Sequence, residues 1–142
     1  MNLSVINTPQ LSAYYDGIIH VTYRGAVDSH ITNQVYKWRK DIFRTIPTNF
    51  IRGEIFDFRD VNDFMPGHLQ AVQKASKELS LLVDLSSVPC ALVVSSAYQM
   101  QTLSIAVQLT PIIERKHIVW SREEAFNYLQ SWNESQSQAK IG

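Results

Sequence analysis

Apolar and polar positions along the chain change their period several times, and each change marks an element. Residues 11–15 and 18–24 are two β-prone runs separated by Asp16-Gly17. That pair suits a two-residue type I′ turn, in which both central positions take positive φ. In the second run Ile19, Val21 and Tyr23 alternate with His20 and Thr22, the pattern of a strand with one buried face. His20 falls on the other face and reads as a partly exposed strand residue rather than a ligand. After Gly25 the period lengthens. Asp28 or Ser29 can cap a helix reaching to about Thr45, with Ile31, Val35, Trp38 and Ile42 on one stripe. Lys37, Lys40 and Arg44 lie on another face with Arg39 beside the stripe, a basic row that reads as solvated more readily than as a dock for an acidic partner. Pro47 closes the segment.

Residues 51–58 are the next strand, inside the stretch RGEIFDFRD, which leaves the strand through a cluster of acidic and basic side chains. Pro66, at a first-turn position where its missing N–H costs nothing, starts a second helix. Its inward stripe is Leu69, Val72, Ala75 or Ser76, Leu79, and Leu82 or Val83, with His68 at the surface or the cap. The run CALVV at 90–94 fits a strand covered on both faces. Cys90 within it reads as a small buried hydrophobe, with no cation nearby in sequence to activate it. Ser95-Ser96 then caps a third helix over 97–113 that carries no charged residue. At about 100° per residue, Met100, Leu103, Val107 and Thr110 form one stripe. Tyr98, Ile105, Leu109 and Ile112 form a second stripe on nearly the opposite side, and only Gln101, Ser104 and Gln108 make a clearly polar strip. Such a helix is deeply buried or docks a second surface, and the pattern leaves open which stripe points outward. Pro111 kinks or ends it. Residues 116–120 are a last strand, followed by the capping box Ser121 and Glu124 and a helix carrying Ala125, Phe126, Leu129 and Trp132. Residues 134–142 read as a polar, frayed tail after a single domain over 1–133.

The order β-β-α-β-α-β-α-β-α predicts an α/β domain: a mixed, mostly parallel sheet with an N-terminal hairpin and four helices. Composition narrows the function classes. Thirteen Lys and Arg balance thirteen Asp and Glu, so the basic excess expected of a nucleic-acid binder is missing. One cysteine excludes an intramolecular disulfide and fits a reducing compartment. The amino terminus lacks a signal-peptide pattern, and apolar runs of about five residues are far short of the roughly 20 that span a bilayer. The expectation is a soluble cytoplasmic protein.

In open α/β sheets, ligands bind beyond the carboxyl ends of the strands. Those ends supply Asp57, Arg59, Asp60 and Asp63, and then Ser95, Ser96 and Tyr98; Arg59 and the helix N-termini would favour an anion. The competing and favoured reading makes Asp57 and Asp60 turn-formers or partners of Arg59, and the serines simple caps. A hydrolase would need a nucleophile elbow that VVSSAY lacks, and the four histidines have no metal-ligand spacing. No catalytic residue, metal or cofactor is assigned.

The hairpin strand IIHVTYRGAV, the segment IFDFRDV, the strand-helix pair ALVVSSAYQMQTL and the closing IVWSREEAFNYLQSW, in that order, resemble the SpoIIAA-like family of the STAS-like fold, small bacterial proteins, from about Leu11 to Trp132. The resemblance implies a non-enzymatic role. Anti-sigma-factor antagonists of this fold bind a protein partner and are switched by phosphorylation of a serine at the start of the helix after the central strand. Here that position reads Met65, Pro66, Gly67 and His68, without a hydroxyl, so the phosphoserine switch is not carried over. The expected function is a binding or regulatory domain working through protein contact or self-association, with Tyr98, Ile105, Leu109 and Ile112 as the candidate interface. The alternative is a small-molecule or anion site, conceivably enzymatic, at Asp57, Arg59, Asp60, Ser95, Ser96 and Tyr98.

Overall fold

Six strands lie side by side in chain order: β1 (Ile6–Asn7), β2 (Leu11–Tyr15), β3 (Ile19–Val27), β4 (Glu54–Phe64), β5 (Cys90–Val93) and β6 (Lys116–Val119). The computed structural model describes residues 4–141, with side chains through Ser137. Strands β1 to β3 pair antiparallel and β3 to β6 parallel, the mixed, mostly parallel sheet that the element order predicts. Helices α1 (Ser29–Thr45), α2 (His68–Leu82) and α3 (Ala97–Gln108) connect the parallel strands, and α4 (Arg122–Ile141) follows the last of them.

Successive parallel strands step in one direction across the sheet, and crossovers of one hand then place their helices on one face. Accordingly Val35, Trp38 and Ile42 of α1, Leu79 of α2 and Leu103 of α3 share a core with Ile19, Val21, Tyr23, Phe56, Phe58, Cys90 and Leu92 on the first face of the sheet. Helix α4 covers part of the second face, where Ala125 and Leu129 meet Ile55, Ala91, Val93 and Val119. Period-two alternation in β4 and β5 serves both cores at once, which is why CALVV has no polar position.

Several local expectations are corrected. Tyr15 pairs with Ile19, so the hairpin loop has three residues, and only Gly17 takes positive φ, at 99°. Asp16 accepts a hydrogen bond from the Ile18 amide at 3.2 Å in place of forming a type I′ turn. Strand β4 runs on to Phe64 rather than turning after Phe58. It does so by taking up one extra residue between the pairs Thr22 with Asp57 and Arg24 with Asp60, and another between Gly25 with Val61 and Ala26 with Asp63. Pro66 precedes α2 by two residues; the helix starts at His68 after Gly67 at φ 89°. His68 is buried, not superficial, while Leu82 is exposed. Helix α3 stops at Gln108, before Pro111, and α4 continues helically through the polar stretch to Ile141. The Asp28 cap is as expected: its carboxylate accepts from the Ile31 amide at 2.9 Å.

Helix α4 can seat on the sheet because Gly53 has no side chain. A Cβ there would lie 2.6 and 2.8 Å from the two Leu129 methyls. Gly53→Ala is expected to cost about 1–3 kcal/mol in urea unfolding, as overpacking does. The cost should shrink in a Leu129→Ala background, where the methyls are gone; an equal cost in both backgrounds would refute the contact.

Candidate functional site

The residues at the carboxyl ends of β4 and β5 are brought together, but they satisfy one another. The bulged backbone of β4 runs past the end of β5, whose last pairing is Val93 with Asp57, so carbonyls beyond Asp57 lose their ladder partners. Gln99, buried on the first turn of α3, donates from Nε2 to the carbonyls of Arg59 and Val61 at 3.1 and 2.9 Å. The Ser95 hydroxyl donates to the same Arg59 carbonyl at 3.1 Å, and the Ser95 amide donates to Gln99 Oε1 at 2.7 Å. Ser96 caps α3 by accepting from the Gln99 amide. The Tyr98 hydroxyl donates to Asp63 Oδ1 at 3.1 Å and accepts from the Phe64 amide at 3.0 Å. Asp60 is exposed opposite Arg24. Tyr98 and Phe64 border a shallow cavity beside the start of α2. The corner bolts α3 to the end of β4, and Gln99, whose polar side chain gave no motif signal, is its key residue.

Asp57 and Arg59 belong to a second cluster, on the face that α4 covers. Arg59 donates to Asp57 from Nε at 3.0 Å and from Nη2 at 2.9 Å, and Arg122 Nη1 lies 3.5 Å from the same carboxylate. Burial alone would raise the Asp57 carboxyl, but the hydrogen bonds and charge of Arg59, with Arg122, hold it below the usual range. Arg122 Nη2 also donates to His20 Nδ1 at 3.3 Å, and His20 Nε2 reaches Asp16 Oδ1 at 3.0 Å. A guanidinium only donates, so Nδ1 is the acceptor and Nε2 carries the proton. His20 is 4% exposed, a correction to its sequence reading. Tyr14, its cross-strand partner, stacks on it at 4.5 Å, and Phe126 of α4 tilts against its other side.

On the first face, sequence reasoning missed a buried ion cluster. Glu54, the first residue of β4, is fully buried, and both its oxygens accept from Arg39 of α1, at 2.6 and 2.8 Å. Arg115, also buried, donates from Nη1 to Glu54 Oε1 and to the Val88 carbonyl, each at 3.0 Å. Burial would raise the Glu54 carboxyl; the charges and hydrogen bonds of Arg39 and Arg115 outweigh it and hold the group low. Arg39, placed beside the stripe of α1 from the sequence, is inside, with its guanidinium over the rings of Tyr36 and Phe56 at 4.7 and 5.1 Å. Cys90 has these cations near it in space, yet burial dominates and pushes its thiol up, so it stays protonated.

The two stripes of α3 are now assigned. Leu103 and Thr110 are buried and Met100 and Val107 half-buried against the core. Tyr98, Ile105 and Leu109 point outward, 45%, 57% and 39% exposed. Ile112 leaves that outer row: it lies beyond the helix end and packs against the core.

This is a mixed α/β sheet in chain order with three helices on one face and one on the other. No family model matches the sequence, and no curated protein matches it. Among solved structures it is similar to the anti-sigma factor antagonist SpoIIAA in its unphosphorylated form, at 15% identity over 85% of this chain and 96% of that one, TM-score 0.54. It is also similar to an uncharacterised DUF3478 protein from Shewanella loihica PV-4 with a SpoIIAA-like fold, at 11% identity over 84% of this chain and 91% of that one, TM-score 0.55. The protein TM1081 matches at 14% identity over 82% of this chain and 85% of its own, TM-score 0.52. The fold is SpoIIAA-like, of the STAS-like type.

Two predictions follow from the clusters. Burial, with the Arg122 charge in the same direction and Asp16 opposing, lowers the His20 pKa from 6.5. The folded value lies below the unfolded one, so this stabilisation is present above the unfolded pKa and is lost as pH falls through the folded one. Imidazole NMR titration should give a value below 6.5, raised by Arg122→Ala and lowered further by Asp16→Asn; a value above 6.5 contradicts the network. Separately, Glu54→Gln leaves two buried guanidiniums without their counter-charge and should cost about 3–5 kcal/mol in chemical denaturation.

Proposed function

We propose that the protein is a non-enzymatic binding domain that works by protein contact through the outer face of α3, with a second copy of the chain as its first partner. The observation that carries this reading is the exposed row Tyr98, Ile105 and Leu109 on a helix without a charged residue. The row recurs at i, i+7 and i+11, one side of a helix of about three turns, which is the spacing of a helix-on-helix seam. A two-fold contact sets the same patch against itself. A helix without charges accepts this without placing like charges opposite one another. The resemblance to protein-binding members of the fold, and the SpoIIAA-like fold itself, support the reading.

The contact is read without a phosphoserine switch. No Ser, Thr or Tyr occurs from Val61 to Ala75, the span that contains the end of β4 and the start of α2. Ser95 and Ser96 are engaged in the corner at the start of α3. No catalytic residue is proposed, and the formal net charge of zero does not favour nucleic acid. No helix among the described residues is long and apolar enough to cross a membrane.

Sedimentation velocity over a concentration series tests the reading. The native chain should shift from monomer to dimer, and Ile105→Asp should weaken association more than roughly tenfold with an unchanged circular dichroism spectrum, as for a central contact residue. A native chain that stays monomeric at millimolar concentration, or an Ile105→Asp variant that dimerises like the native chain, sinks it.

A further inference from the structure

Between the first face of the sheet and helices α1, α2 and α3 lies a cavity of about 70 Å³. Helix α2 leans on α1 and meets α3 at few points, and His68 and Val72 of α2 and Leu103, Ala106 and Val107 of α3 line the cavity between them. Its walls are largely apolar, with Phe56, Phe58, Leu92, Leu103 and Val107 among them. Its polar end is formed by Arg39, Arg115 and Lys116, and His68 borders it from α2.

The charges at that end do not balance. Arg39 and Arg115 share a single buried carboxylate, Glu54, whose two oxygens Arg39 already occupies, and Lys116, its pKa lowered to about 8 by burial, has no carboxylate partner among the described residues. The other titratable groups around the cavity cannot supply a negative charge. Burial pushes the Tyr23 and Tyr36 phenols and the Cys90 thiol up, and pulls His68 down toward its neutral form. Of the three buried side-chain nitrogens without a partner among the described residues, two belong to residues lining this cavity: Arg115 Nε and His68 Nε2. His68 is 4% exposed and its Nδ1 is taken by the Thr32 hydroxyl at 3.2 Å, which leaves Nε2 as its free edge. A buried guanidinium with an unsatisfied N–H and no full counter-charge is costly to maintain, and here it borders empty space. Lys116 stands at the same end, hydrogen-bonded to Thr110 Oγ1 and to the Pro111 carbonyl.

We infer that this cavity binds a small monocarboxylate with a short aliphatic body, its carboxylate held by Arg115 Nε and the Lys116 ammonium and its alkyl end lying against Phe56, Phe58 and Leu103. The carboxylate supplies the missing negative charge and an acceptor for the unsatisfied N–H, and bidentate pairing with cationic donors is the strong form of such a contact. A doubly charged inorganic anion would lose more hydration than the apolar walls return. The volume sets the size: one water needs about 10–15 Å³ of such space, so about 70 Å³ holds roughly five water-sized groups. A short-chain acid fits this and a nucleotide or long-chain lipid does not. The site is separate from the strand-end residues Asp57, Arg59, Asp60, Ser95 and Ser96, and it does not depend on the outer face of α3.

Thermal unfolding of the full chain at constant ionic strength tests this with sodium acetate, propionate, butyrate, phosphate and chloride. Propionate or butyrate should raise Tm by several degrees at a hundredfold excess over Kd, saturably, whereas chloride and phosphate should not. NOEs from the ligand methyl group to Phe58 and Leu103 should appear in the same samples. Lys116→Gln should weaken binding at least roughly tenfold, since a charge-assisted hydrogen bond is lost. Ala106→Val fills the cavity without touching its charges and should abolish both the Tm rise and the NOEs. A Tm rise equal for chloride and the carboxylates, or one that survives Ala106→Val, overturns the inference.

Discussion

A glutamate with no solvent contact stands at the first position of β4, a strand paired in parallel on both sides in the middle of the sheet. At that register Glu54 lies between Ile19 of β3 and Cys90 of β5. Its carboxylate survives there only because α1 brings Arg39 and the approach to β6 brings Arg115 within 3.0 Å. An ion pair of this kind contributes little net stability over an apolar replacement, but it penalises every arrangement that leaves one member alone. Three segments far apart in the chain must therefore dock together, and a misplaced α1 or a slipped β6 would strand a charge in the core. The same cluster leaves the Arg115 Nε–H without a partner, and Arg115 lines the cavity beside it.

This cluster also marks the limit of what the sequence discloses. Elements whose evidence is periodic were legible: the alternation in β3, the stripe of α1, the double coverage implied by CALVV, and the Asp28 cap. Their order was enough for the mixed sheet. Arg39 was not legible, because a cation next to an apolar stripe looks like any snorkelling surface residue until its partner arrives from β4. Arg115 lies 61 residues from Glu54, and no local pattern connects them. His20 was misplaced for a related reason. Strand alternation correctly put it on the second face, but nothing local says that α4 will return with Arg122 and Phe126 to cover that face. The two-residue loop read from Asp16-Gly17 would have set His20 opposite Ala13; the three-residue loop brings Tyr14 there instead.

The strand-end residues illustrate a different failure. Ser95 and Tyr98 meet the end of β4 at the Arg59 carbonyl, Asp63 and Phe64, while the Asp57 and Arg59 side chains pair with each other on the face that α4 covers. In the sequence Asp57 and Asp60 read as turn-formers or partners of Arg59; Asp57 does pair with Arg59, but in place of a turn β4 absorbs two extra residues as bulges and continues. That extension leaves carbonyls unpaired, and the polar groups that might have met a ligand are drawn into meeting those carbonyls and one another. The chemistry of the corner is consumed in holding α3 against a strand longer than its neighbour.

Helix α3 is where these constraints meet. Its first turn is fixed to β4 by Gln99 and Tyr98, and its inner row borders the cavity through Leu103, Ala106 and Val107. Its outer row projects Ile105 and Leu109 away from the core. Beyond the anchored first turn the helix rests on a partly empty interior and has few contacts with α2. Packed elements move as rigid bodies with discrete seats rather than deforming smoothly. The inner row therefore lines the cavity while the outer row of the same rigid helix faces away from it. A charge-free helix thus divides its two rows between an interior that holds a cavity and a surface open to contact, with the Gln99 corner as its fixed end.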